Sequence, residues 1–143
     1  MGISFLVTAY NEHEELKCLL NQLSQIIKPT DELVIQLDSK ATSKVLVLVD
    51  NFIEKNKDSF LVKKCHFDLN KDFASFKNNA KSYCTKEWVF QIDADETLSE
   101  TFKTVLHQVL EVNEGIDLIA IPRVNIVKGL EEQDITNWHW QVN

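Results

Sequence analysis

The order of apolar and polar positions divides the chain into alternating strands and helices. Ile3 to Thr8 is a short apolar run that reads as a buried strand. Leu16, Leu19, Leu20, Leu23, Ile26 and Ile27 then recur at helical spacing with a charged opposite face. Asn11 is placed to cap that helix, Glu12, Glu14 and Glu15 fall in its first turn, and Lys28-Pro29 ends it. Leu33 to Leu37 is a second strand, closed by Asp38. Val45 to Val49 has strand-forming residues, yet Val45, Leu48, Val49, Phe52 and Ile53 fit one helix face behind Thr42 or Ser43, which predicts a helix. Phe60 to Val62, reaching toward Cys65, is a third strand. Phe73 to Cys84 predicts a helix with Phe73, Phe76, Ala80, Tyr83 and Cys84 inward. Trp88 to Ile92 is almost wholly apolar and predicts a central strand. Ser99 caps a helix with Phe102, Val105, Leu106, Val109 and Leu110 on one face, stopped by Gly115. Ile116 to Ile121 is a fifth strand, ended by Pro122.

Strict strand–helix alternation predicts an α/β fold, with a mostly parallel central sheet and helices on both faces. Such sheets bind ligands outside the carboxyl ends of their strands. Those ends hold Thr8-Ala9-Tyr10-Asn11-Glu12, Asp38-Ser39 and Asp93-Ala94-Asp95-Glu96.

A length of 143 residues allows one domain with a real core, so residues 1–143 are expected to form a single unit. Fifteen basic against 22 acidic residues, a net charge of -7, exclude general nucleic-acid binding, which needs clustered cations. They leave open a nucleotide held through a divalent cation. Cys18, Cys65 and Cys84 are odd in number and widely spaced, as reduced, packed thiols are, and Cys18 and Cys84 fall on predicted apolar helix faces. No run approaches the roughly 18 apolar residues of a membrane span. The expectation is a soluble, cytoplasmic protein with no transmembrane segment.

The sharpest chemical feature is Asp93-Ala94-Asp95-Glu96, three carboxylates crowded after a buried strand. Two acids one residue apart can point to the same side and recruit a hard cation, Mn²⁺ or Mg²⁺, whose shell phosphate oxygens complete. A turn followed by a helix cap is the plain alternative. In the first strand-end segment a tyrosine ring can stack on a flat base while Thr8, Asn11 and Glu12 bond to base or ribose edges; taken alone, a capped helix start is the better explanation. Asp38 can accept from a base imide N–H or simply close a turn. Lys77 and Asn78 lie on a helix that can run beside the crevice toward phosphate or ribose, or form a solvated face.

Together these segments resemble family 2 glycosyltransferases of the GT-A fold. Thr8-Ala9-Tyr10-Asn11-Glu12 is similar to the family's "TYNE"-like turn, and Leu33–Leu37 with Asp38-Ser39 to its second strand. Phe73-Ala74, Lys77-Asn78 and Ala80 resemble its "FA..(R/K)N.A" helix. Glu87-Trp88 through Asp93-Ala94-Asp95-Glu96 resembles its DADE-type signature. Ile121-Pro122-Arg123-Val124-Asn125 resembles a segment that follows it. The resemblance implies a nucleotide-diphosphate sugar donor, usually a UDP-sugar, and a divalent metal. It implies that Asp38 contacts the base, Asp93 the ribose or metal, and Asp95 the metal. Thr8, Tyr10 and Glu12 would line the nucleotide pocket. Ser39-Lys40-Ala41-Thr42-Ser43 departs from the family pattern by lacking a second acid.

The acceptor, whether saccharide, lipid or protein, is not legible. Family members usually continue past the position of Asn143, and that part normally supplies the acceptor side and the base. The expectation is therefore a domain truncated at its C-terminus. Glu131, Glu132, Asp134 and His139 are the candidate bases within the chain, Asp134 and His139 foremost. Trp138 and Trp140 can stack on a sugar or form an apolar edge for self-association. Two further readings stay open. One is a non-catalytic nucleotide-sugar-binding module lacking the acceptor half. The other is a nucleotidyltransferase, disfavoured by the acidic, Gly-free Ala9-Tyr10-Asn11-Glu12 loop.

Overall fold

Four strands, β1 (Ile3–Ala9), β2 (Glu32–Asp38), β3 (Leu61–Phe67) and β4 (Trp88–Asp93), form an all-parallel sheet in the order β3-β2-β1-β4. The structure is a computed structural model that describes residues 2–113, 115–126, 129 and 131–137. Helices α1 (His13–Leu23), α2 (Ser43–Asn56), α3 (Phe73–Lys81) and α4 (Glu100–Val112) connect or follow the strands, and a short α5 (Glu132–Asn137) comes last. The chain divides into two compact units, Met1–His107 and Gln108–Asn143. No helix among the described residues is long and apolar enough to cross a membrane.

Crossover chirality sets the layers. The chain steps β1 to β2 to β3 in one direction, so right-handed crossovers put α1 and α2 on one face, where they pack together. From β3 it returns past β2 and β1 to β4, which sends α3 to the other face. Side-chain alternation agrees. Leu6, Val34 and Cys65 cluster with Ala80 of α3, and Cys84 packs against them. On the opposite face Phe5 meets Phe90 edge-on at 5.8 Å, and Phe90 meets Phe102 of α4 at 5.4 Å. Every residue of β1 and β2 is buried.

Several expectations need correction. The strand at Trp88–Asp93 is an edge strand of the described sheet, not a central one. It is apolar because α4 covers its Phe90 and Ile92 side, while α3 packs on β1, β2 and β3 and leaves Val89 and Gln91 exposed. The expected strand at 116–121 is absent. Those residues pair with no described strand, and strand propensity counts only where a neighbour supplies the ladder. Helix α3 ends at Lys81, short of Cys84, and Phe73 and Tyr83 are exposed rather than inward. Cys18 is likewise exposed. Position 12, not Asn11, caps α1, and Thr42 caps α2 without a side-chain bond. Ser99 does cap α4, its hydroxyl accepting from Phe102 N–H at 3.2 Å.

The amino ends of the strands are joined by a buried carboxylate. Glu32 has no access to solvent (0%). It accepts from the Ser4 hydroxyl of β1 (2.6 Å) and from the backbone N–H and hydroxyl of Thr85 (2.6 and 2.9 Å). Lys63 Nζ of β3 lies 2.7 Å away. Burial alone pushes this carboxyl up, but the Lys63 ammonium, Ser4 and Thr85 outweigh it and hold it at about 2 against an ordinary 4.5. A value depressed by folding stabilises the fold fully above pH 4.5 and loses that stabilisation as pH falls toward 2. Glu32→Gln is expected to cost about 3 kcal/mol at pH 7, and the gap to the unmodified protein to fall by about half by pH 3. Urea unfolding across that range measures it; a pH-independent gap contradicts a role for the charge.

Candidate functional site

The sheet order reverses between β1 and β4, so the carboxyl ends of these two strands, on the α3 side, form the switch point at which sheets of this kind hold ligands. Thr8 and Asp93 are register partners there. The Thr8 hydroxyl donates to Asp93 Oδ1 at 3.0 Å. Lys77 Nζ, reaching down from α3, lies 2.9 Å from Oδ1 and 3.2 Å from Oδ2. The Lys77 and Asp93 side chains are each about one third exposed, so the pair adds at most ~1 kcal/mol to stability. The turn beyond β4 is braced by Ala94 N–H on Thr8 C=O (3.1 Å), Asp93 N–H on Glu96 Oε2 (2.9 Å) and Glu96 N–H on Asp93 C=O (3.0 Å).

Lys77 reaches Asp93 because α3 is pinned to the sheet on both sides of it. The buried Gln36 of β2 donates to Phe76 C=O, and its Oε1 accepts from Asn79 Nδ2 at 2.7 Å. Asn70 and Lys71, both at positive φ (39° and 62°), turn the chain from β3 into α3. Asp72 then caps the helix, its carboxylate taking the Ser75 N–H at 3.0 Å and hydroxyl at 2.6 Å. Those bonds hold the Asp72 carboxyl below its ordinary value. In the sequence Gln36 stands out only as a polar residue inside an apolar strand, and nothing distinguishes Asn79 from Asn78 beside it. Asn78 is exposed and makes no side-chain hydrogen bond to a described residue.

Asp38 lies on the same face at the end of β2. Its Oδ1 accepts from Lys40 N–H (2.7 Å) and its Oδ2 from Leu69 N–H (2.8 Å), joining the loops after β2 and β3. Each oxygen keeps a lone pair for a ligand donor. Glu12 turns back to accept from Tyr10 N–H (2.7 Å) and Asn11 N–H (3.1 Å), which shapes the loop and leaves the Tyr10 side chain exposed.

Asp95 is exposed and bonds to no described residue through its side chain. Among the described residues no three His, Cys, Asp or Glu side chains converge as a protein-only metal cage. One bare carboxylate two residues from another still fits a hard cation whose shell is completed by ligand phosphate and water. Asp134, in the other unit, accepts from Glu131 N–H at 3.0 Å and so braces the start of α5. His139 lies outside the described residues, as do Trp138 and Trp140. Burial, with Cys84 nearby, pushes the Cys65 thiol up to about 11, and burial raises Cys84, so neither is a nucleophile at neutral pH. An open groove lined by His13, Lys17, Lys44 and Asn51 lies between α1 and α2, on the face away from Thr8 and Asp93.

A parallel sheet with polar groups meeting at its switch point is the arrangement of α/β domains, a class whose ligand sites lie at strand ends. The chain belongs to glycosyl transferase family 2, which it matches over residues 4–142. Its fold is of the GT-A type. The crystal structures of S. aureus TarS 1-349 and of S. aureus TarS each align with 86% of the chain at a TM-score of 0.62 and 24% identity. The chain spans 39% of the first and 23% of the second. No curated protein matches.

Gln36→Leu removes the bonds that pin α3 to β2. It is expected to lower stability by about 1–2 kcal/mol with an unchanged m-value in urea. A change within error contradicts this account of how α3 is positioned.

Proposed function

We propose that the crevice binds a nucleotide-diphosphate sugar, a UDP-sugar foremost, and that the protein transfers the sugar to a saccharide, lipid or protein acceptor. The observation behind this reading is the meeting of Thr8, Lys77 and Asp93 at the β1–β4 switch point, with the bare Asp95 carboxylate alongside. The proposal treats residues 1–143 as one nucleotide-sugar-binding domain whose argued site lies within Met1–His107.

The exposed Tyr10 ring offers a flat surface for the base. The free lone pairs of Asp38 suit a base N–H. Thr8 and Asp93 suit the ribose hydroxyls, and Glu12 holds the loop that carries Tyr10. Lys77 and, from the exposed side of α3, Asn78 are assigned to the diphosphate. Asp95, with Asp93, would hold Mn²⁺ or Mg²⁺. When bound, the cation supplies positive charge against the charge that develops on the leaving diphosphate. The chain's own residues meanwhile fix the donor in place and keep a second cation, Lys77, beside the phosphates. No base is assigned to the acceptor hydroxyl: Asp134 belongs to the other unit and His139 lies outside the described residues. A cytoplasmic location belongs to the same reading and rests on three free cysteines.

Calorimetry with UDP should show binding in the presence of Mn²⁺. Asp95→Ala should abolish it while leaving the unfolding midpoint unchanged. Absence of binding by UDP and every other nucleoside diphosphate, with and without metal, contradicts the proposal.

A further inference from the structure

The two carboxylates at the end of β4 are electrically unequal. Asp93 is neutralised: Lys77 Nζ touches both its oxygens, at 2.9 and 3.2 Å, and Thr8 adds a hydroxyl at 3.0 Å. Asp95 has no such partner among the described residues. A divalent cation approaching the ligand-free chain therefore meets one bare carboxylate, a second already filled, and an ammonium that repels it. The backbone of Lys77 is fixed by the Gln36 bonds to Phe76 and Asn79, so the ammonium does not leave by displacement of the helix. Its side chain is one third open to solvent and can turn toward an anion entering the crevice. A diphosphate is such an anion and offers the ammonium charge-assisted hydrogen bonds.

We propose that Lys77 is a latch on Asp93: it fills the carboxylate until a diphosphate draws it away, so that cation and nucleotide bind with positive cooperativity and neither site is complete alone. Lys77 is in this sense a positioning residue that sets the charge of Asp93. The inference rests on the nucleotide-diphosphate reading above. It also makes a prediction that needs no nucleotide, because removing the ammonium must by itself open Asp93 to metal. Linkage requires the coupling to be equal in both directions.

The test is a titration of the purified chain with Mn²⁺ alone, read by the loss of the free-ion electron spin resonance signal, and then with UDP present. UDP is expected to tighten Mn²⁺ binding to the unmodified protein by roughly 5- to 150-fold. Lys77→Met should bind Mn²⁺ alone at least about fivefold tighter than the unmodified protein, with the UDP effect correspondingly reduced. Lys77→Arg, which restores the cation, should return to weak binding of the bare metal, and adding Asp93→Asn to Lys77→Met should remove the gain. Lys77→Gln gives a second uncharged variant should the methionine fold poorly. Equal affinity of Lys77→Met and the unmodified protein for Mn²⁺ alone overturns the latch. Failure of UDP to bind at all counts against the nucleotide reading instead, and the bare-metal comparison still decides the latch.

Discussion

The buried carboxylate of Glu32 is the constraint on which the rest of the structure depends. A charge without water is costly unless every lone pair is met. Here the donors come from β1, β3 and the turn before β4, so all four strands are gathered at their amino ends around one side chain. Because side chains alternate, a slip of one residue in β1 or β3 would move its inward set to the other face and take the Ser4 or the Lys63 donor from this carboxylate. The same register, followed to the opposite edge, sets Thr8 against Asp93 and brings Asp38 onto the face that α3 covers. The site is thus positioned from the far end of the sheet, by residues that take no part in it.

Much of this was legible in the sequence. The apolar runs at Ile3–Thr8 and Leu33–Leu37 could be read because a buried parallel strand needs apolar side chains on both faces. Four of the helices could be read because apolar residues recur every three or four positions, Leu, Ile and Val in three of them and Phe and Ala in α3. Trp88–Asp93 misled because one covered face and one exposed valine imitate a strand covered twice. Residues 116–121 misled because propensity is local while a strand needs a neighbour. Glu32 and Gln36 were missed for a common reason: a buried polar side chain is explained by partners distant in sequence, Lys63 and Thr85 for one, Asn79 for the other.

The candidate site could be read only as a list of strand-end and helix residues, some of which the structure brings into contact. Thr8, Lys77 and Asp93 meet directly, while Glu12 accepts backbone N–H groups of its own loop and Asp38 accepts one from its own loop and one from the loop after β3. A solvent-accessible ion pair of this kind contributes little to stability. Under the proposed function its geometry is that of a cation held beside the diphosphate it would meet.

Amide shift mapping by nuclear magnetic resonance decides whether a nucleotide binds at this edge of the sheet. On addition of UDP and Mg²⁺, the account predicts shifts concentrated at residues 8–12, 38–40, 77–79 and 93–96. Shifts centred instead on the groove at His13, Lys17 and Lys44, or on the amino ends of the strands around Glu32 and Thr85, would contradict it.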